Sequence, residues 1–179
     1  MTTTYTARAV PPGVLKELRT ADDAGRPMAP FTDEEGGAPL RCCLRRSAPG
    51  ESIALVSYAP LRRWAAGTGA DPGAYDEQGP VFIHAEECAR PEGGALPFTG
   101  AHRVLRRYAA DGRILGGRLV REPQDFEPAL TDAFADPEVA LVHVRAVEYG
   151  CFLYEVRRDR PARTTGAASG SRSPRRSRA

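Results

Sequence analysis

Runs with the two-residue period of a half-buried strand recur along this chain, and runs with helical spacing are few. Tyr5 to Val10 reads as a short first strand. Pro11-Pro12 then opens a helix, because proline costs nothing in a first turn, and Val14, Leu15, Leu18 and Ala21 give it one apolar stripe that Gly25 is placed to end. From Gly25 to Pro39 the chain is rich in Gly, Pro and acids without periodicity, which predicts a long loop. Ser52 to Tyr58 is a strand stopped by Pro60, and residues 60 to 80, punctuated by four glycines, return to loop.

Pro80 starts the next strand, along which Val81, Ile83 and Ala85 face one way and Phe82, His84 and Glu86 the other. Val104 to Ala109 and Arg113 to Val120 flank Asp111-Gly112, a pair suited to the positive φ angles of a tight hairpin turn. Asp125 is placed to cap a helix carrying Phe126, Leu130 and Phe134 at four-residue spacing, ended by Asp136-Pro137. Glu138 to Val147 and Cys151 to Arg158 form a last pair of strands, turned at Glu148-Tyr149-Gly150. Seven short strands and two helices, joined by hairpin-type links without βαβ alternation, predict an α+β fold with a largely antiparallel sheet.

Length and charge refine this picture. A chain of 179 residues has room for one domain, placed here at residues 1–158. Six arginines against Asp159 put the last 21 residues at +5 and leave the rest at −3, although the whole chain is only +2. Those last residues hold only Arg, Ser, Gly, Ala, Thr and Pro besides that aspartate. They cannot bury enough apolar surface to offset their ordering entropy, so residues 159–179 are expected to be a disordered basic tail. The tail has no aromatic residue for base stacking, so sequence-specific reading of nucleic acid is not expected, and any attraction to it would lie in these arginines. No secretory signal and no apolar run of membrane-spanning length is present, which predicts a cytoplasmic protein with no membrane association and with reduced thiols at its four cysteines.

The densest chemistry lies in Gly79-Pro-Val-Phe-Ile-His-Ala-Glu-Glu-Cys88. With Arg41, Cys43 and Leu44, Pro49-Gly50-Glu51, Tyr75, Arg106 and Tyr108, His143-Val144-Arg145 and Tyr149-Gly150-Cys151-Phe152, this stretch resembles the bacterial family called domain of unknown function 1203, over about Pro39 to Arg158. The resemblance implies no activity, cofactor or substrate. In the family pattern a cysteine stands where this chain has Leu40, giving Cys-Arg-x-Cys; here that thiol is missing and Cys42 sits beside Cys43.

Three kinds of chemistry fit the residues. First, a small anionic ligand would be gripped in a polar pocket by Arg106, Arg145 and His143, with His84, Glu86 and Tyr108 converging on it, since arginine offers a planar fork of donors. On a strand, His143 and Arg145 lie roughly 7 Å apart on one face. The structural alternative is an Arg145–Glu86 ion pair beside a hydrogen-bonded histidine. Second, Cys88 or Cys151 could act as a nucleophile with His84 or His143 as base and Glu86 to orient it. Third, Cys43, His84, Cys88 and Cys151, with His143 in reserve, are zinc-type donors. No Cys-x-x-Cys is present, so spacing favours structural thiols, and neither a metal nor another cofactor is expected. The pocket reading leads: a small-ligand or partner-binding module, with a Cys/His enzyme or zinc protein as the alternative.

Overall fold

The computed structural model describes residues 5–91 and 96–158. The expected tail therefore lies outside the described residues. Eight strands form two antiparallel sheets. The larger has the order β1-β8-β7-β5-β6, built from β1 (Tyr5–Arg8), β8 (Phe152–Arg158), β7 (Leu141–Ala146), β5 (Arg103–Tyr108) and β6 (Ile114–Val120). The smaller is β2-β3-β4, from β2 (Pro30–Asp33), β3 (Glu51–Tyr58) and β4 (Gly79–His84). The α+β reading with antiparallel pairing therefore holds, though the strands divide between two sheets.

Two elements were hidden from the pattern. Pro30–Asp33 lies in the expected loop but pairs with β3, Phe31 facing Ile53 across the ladder. It is an edge strand of four mostly exposed residues, too short and too polar to show a period. Helix α2 (Pro60–Thr68) occupies the second expected loop. Pro60 both ends β3 and supplies the proline of the helix's first turn, and Leu61, Trp64 and Ala65 are buried at helical spacing before Gly69 closes it in the left-handed conformation.

Helix α1 (Pro12–Leu18) buries Leu15 and Leu18, and it ends at Arg19, well before Gly25. Helix α3 (Phe126–Ala135) buries Phe126, Ala129, Leu130, Ala133 and Phe134. Asp125 precedes it but makes no side-chain cap; a 3-10 turn over Pro123–Asp125 leads in instead.

Directly opposed residues of an antiparallel ladder share a face, so the larger sheet has two distinct sides. Val142, Val144, Tyr154 and Val156 pack with the apolar residues of α3. The other side carries Arg106, His143 and Glu155 in register across β5, β7 and β8, with Arg8 of β1 opposite Glu155. Phe152 packs into the core of the smaller sheet with Ile53, Val56, Tyr58 and Ile83, so this polar side looks toward that sheet.

Candidate metal centre

The site begins with a hydrogen-bonded loop. Leu40 N–H donates to the Arg45 carbonyl and Leu44 N–H to the Leu40 carbonyl, both at 2.9 Å, which folds residues 40–45 back on themselves. Leu44 takes φ +59°, the left-handed conformation that lets the chain reverse there. Arg41 N–H donates to the Phe82 carbonyl, fastening the loop to the free edge of β4. Leu40 is completely buried at that edge, where an apolar side chain replaces the thiol of the family pattern.

The loop presents Cys42 and Cys43 to the end of β4. Cys42 Sγ lies 3.3 Å from His84 Nδ1 and 3.9 Å from Cys43 Sγ, and Cys43 Sγ lies 3.8 Å from the same nitrogen. Cys88, on the turn after β4, completes the group, with all four donor atoms within 4.8 Å of one another. His84 N–H donates to Cys42 Sγ at 3.2 Å, and Arg45 N–H donates to Cys43. The turn that carries Cys88 is braced from α1 by Arg19, which donates to the His84 and Glu86 carbonyls at 3.3 and 2.7 Å.

On its outer side the imidazole meets a charged pair. Arg45 grips Glu51 with two nitrogens, at 2.6 and 2.9 Å, and its Nη2 donates to His84 Nε2 at 3.0 Å, which assigns the ring proton to Nδ1. Glu51 Oε2 is 3.4 Å from the same Nε2. The Arg45 fork, with the Ala48 N–H, holds the Glu51 carboxyl down to about 2.

The hydrogen bond from Cys42 holds the Cys43 thiol below its usual range, while giving that bond, together with burial, pushes Cys42 up. Burial also raises Cys88. Arg41, only 2% exposed, donates Nε to the Phe152 carbonyl at 2.8 Å and lies near both Cys42 and Cys151.

The sequence-based candidates divide between two places. Cys43, His84 and Cys88 come together, but the fourth member is Cys42, not Cys151, which stands at the start of β8 near the Tyr149 carbonyl. The two histidines share no ring contact. His143 is completely buried between the rings of Tyr108 and Phe152, with Nε2 3.6 Å from Glu155, because it lies on the inner side of the larger sheet.

The single recess expected around both histidines is therefore two clusters. Arg106 and Arg145 do converge, bridged by Glu77 at 2.7 and 3.0 Å, with Tyr108 beside Arg106. Arg145 takes Glu77 as its partner where the pairing expected was with Glu86, whose carbonyl is held by Arg19. Sequence reading missed Cys42, Arg45, Glu51 and Glu77. Cys42 stood out only as the neighbour of Cys43, and Glu51 only within the Pro49-Gly50-Glu51 of the family resemblance.

No helix among the described residues is long and apolar enough to cross a membrane. A family model described as "protein of unknown function (DUF1203)" matches residues 37–158, and so spans the thiol loop and every strand except β1 and β2. No curated protein and no solved structure matches the chain. The chain belongs to the DUF1203 family.

Proposed function

For this member of the DUF1203 family we propose a metal-binding module, whose centre is Cys42, Cys43, His84 and Cys88 and whose preferred cation is zinc. One observation carries the reading: the spacing of the donor atoms. A tetrahedral zinc with ordinary bond lengths places two thiolates roughly 3.8 Å apart, and a thiolate and an imidazole nitrogen roughly 3.6 Å apart. The measured edges are 3.9 Å for Cys42–Cys43, and 3.3 and 3.8 Å from the two sulfurs to His84 Nδ1. Three soft sulfurs and one imidazole nitrogen select zinc over magnesium or calcium, which take oxygen ligands.

The surroundings suit the same ion. A cation on His84 Nδ1 would require the ring proton to shift to Nε2 and Arg45 Nη2 to turn from its 3.0 Å contact there, so that Nε2–H donates to Glu51, the carboxylate–histidine arrangement that orients metal-bound imidazoles. Three thiolates around a divalent ion leave one negative charge, and Arg19, Arg41 and Arg45 surround it. A nucleophilic thiol needs one cysteine beside the histidine. Here three crowd the same ring, and the nearest, Cys42, is only 1% exposed and out of reach of a substrate.

Cobalt(II) titration tests the reading. One equivalent should give the d–d bands of a tetrahedral site and a sulfur-to-cobalt charge-transfer band, both abolished by excess zinc. Cys42→Ser, Cys43→Ser, Cys88→Ser and His84→Asn should each weaken or change that spectrum, and Cys151→Ser should leave it intact. Absence of a saturable spectrum, or equal loss in Cys151→Ser, would show the reading to be wrong.

A further inference from the structure

A groove of about 1170 Å³ curves around the β1 edge of the larger sheet. It is independent of the metal reading, although Cys43 and Leu44 form part of its wall. A cavity of this size exceeds the roughly 300–1,000 Å³ of most small-molecule sites. Its walls have two characters. One is apolar and aromatic: Tyr58, Trp64, Pro11, Val14 and Phe152 line it from β3, α2, α1 and β8. The other is the charged side of β1 and β8, where Arg8, Glu155 and Arg157 share a face.

The charges on that face do not cancel. Glu155 is engaged by His143 and by Arg157, whose Nε contacts it directly. Arg63, also on the wall, is matched by two carboxylates, Glu17 and Asp23. Arg8 is exposed and has no hydrogen-bond or ion-pair partner among the described residues, and the same holds for Arg90 at the rim. The groove thus joins an uncompensated guanidinium to a broad aromatic wall. An unpaired arginine fork matches a carboxylate or phosphate, and the aromatic side matches hydrocarbon.

We propose that this groove binds an amphipathic organic anion, its carboxylate or phosphate head on Arg8 beside Arg157 and its apolar body against Trp64 and Pro11. Trp64 is the chain's single tryptophan, so its emission reports directly on groove occupancy. Octanoate, octyl phosphate and octylammonium, each below its micelle concentration, are titrated into the full chain while Trp64 fluorescence is followed. At least one of the two anions should give a saturable change, and octylammonium should bind at least tenfold more weakly. Comparison of octanoate with octyl phosphate identifies the head group. Arg8→Gln, at an exposed position whose side chain has no hydrogen-bond or ion-pair partner among the described residues, should weaken the bound anion at least tenfold while leaving the thermal midpoint unchanged. Lack of saturation by both anions, equal binding of octylammonium, or undiminished affinity in Arg8→Gln would each overturn the proposal.

Discussion

At the scale of single residues, Glu51 offers a test of whether the four donors hold a metal. It touches no sulfur; it acts through His84 Nε2 at 3.4 Å and is itself fixed by Arg45 and the Ala48 N–H. Replacing it with glutamine removes the negative charge and the strong acceptor while keeping the shape. Loss of such an orienting partner typically weakens metal affinity by about 10–100-fold. Glu51→Gln should therefore release zinc more readily in competition with a chromophoric chelator, with its far-ultraviolet circular dichroism unchanged. An affinity equal to wild type would mean that the carboxylate serves only its arginine. The sequence showed three of the four donors at this scale, because His84 and Cys88 lie four apart in one conspicuous stretch. It hid the fourth, since only the 40–45 loop, closed by backbone hydrogen bonds, turns neighbouring side chains toward the same point.

At the scale of elements, the β5–β6 hairpin was readable and α2 was not, for physical reasons that differ. Asp111-Gly112 announces its turn through local backbone preference alone, and the structure closes that turn with Ala109 N–H to the Arg113 carbonyl and Gly112 N–H to the Ala109 carbonyl. Helix α2 depends on burying Leu61, Trp64 and Ala65 beside Tyr108 and Leu141, contacts remote in sequence, while its local glycines argue for loop. The hairpin glycine also carries a tertiary contact that no sequence pattern shows. Gly112 has φ +95°, and a Cβ there would lie 2.9 Å from the backbone Cα of Pro72. Gly150, at φ +67° in the β7–β8 turn, would meet nothing within 4 Å. Strained backbone at one residue costs on the order of 1–3 kcal/mol. Gly112→Ala should thus lower the urea midpoint more than Gly150→Ala, the difference being the clash with Pro72. Equal losses would mean that the Pro72 segment moves aside freely.

At the scale of the whole molecule, His143 joins the two sheets. Its ring lies 4.7 Å from that of Tyr108 and 5.0 Å from that of Phe152, and Phe152 in turn packs, tilted, 5.6 Å from Tyr58 of the smaller sheet. Sequence reading placed His143 and Arg145 on one strand face correctly but could not show that this face turns inward, because a polar residue on a strand usually signals solvent. Burial, opposed by the nearby Glu155, holds the His143 pKa below its ordinary 6.5 in the folded state. The unfolded chain takes up the proton as pH falls through about 6.5 and the folded chain does not, so stability falls on that side by at most about 1.4 kcal/mol per pH unit. Glu155, also lowered despite its burial because His143 and Arg157 favour its charge, acts in the same direction but only below its ordinary 4.5. Between pH 7.5 and 5.5 the decline should therefore follow the histidine. With chelator present, so that metal release does not contribute, the urea midpoint of the wild type should drop over that interval, and the His143→Gln variant should show a shallower drop from a lower starting point. The His143 ring resonance should titrate at lower pH than that of an exposed histidine. A fully protonated His143 in the folded protein at pH 5.5 would mean that the space between the sheets admits water, and that the packing of imidazole, Phe152 and Tyr58 is not what holds them together.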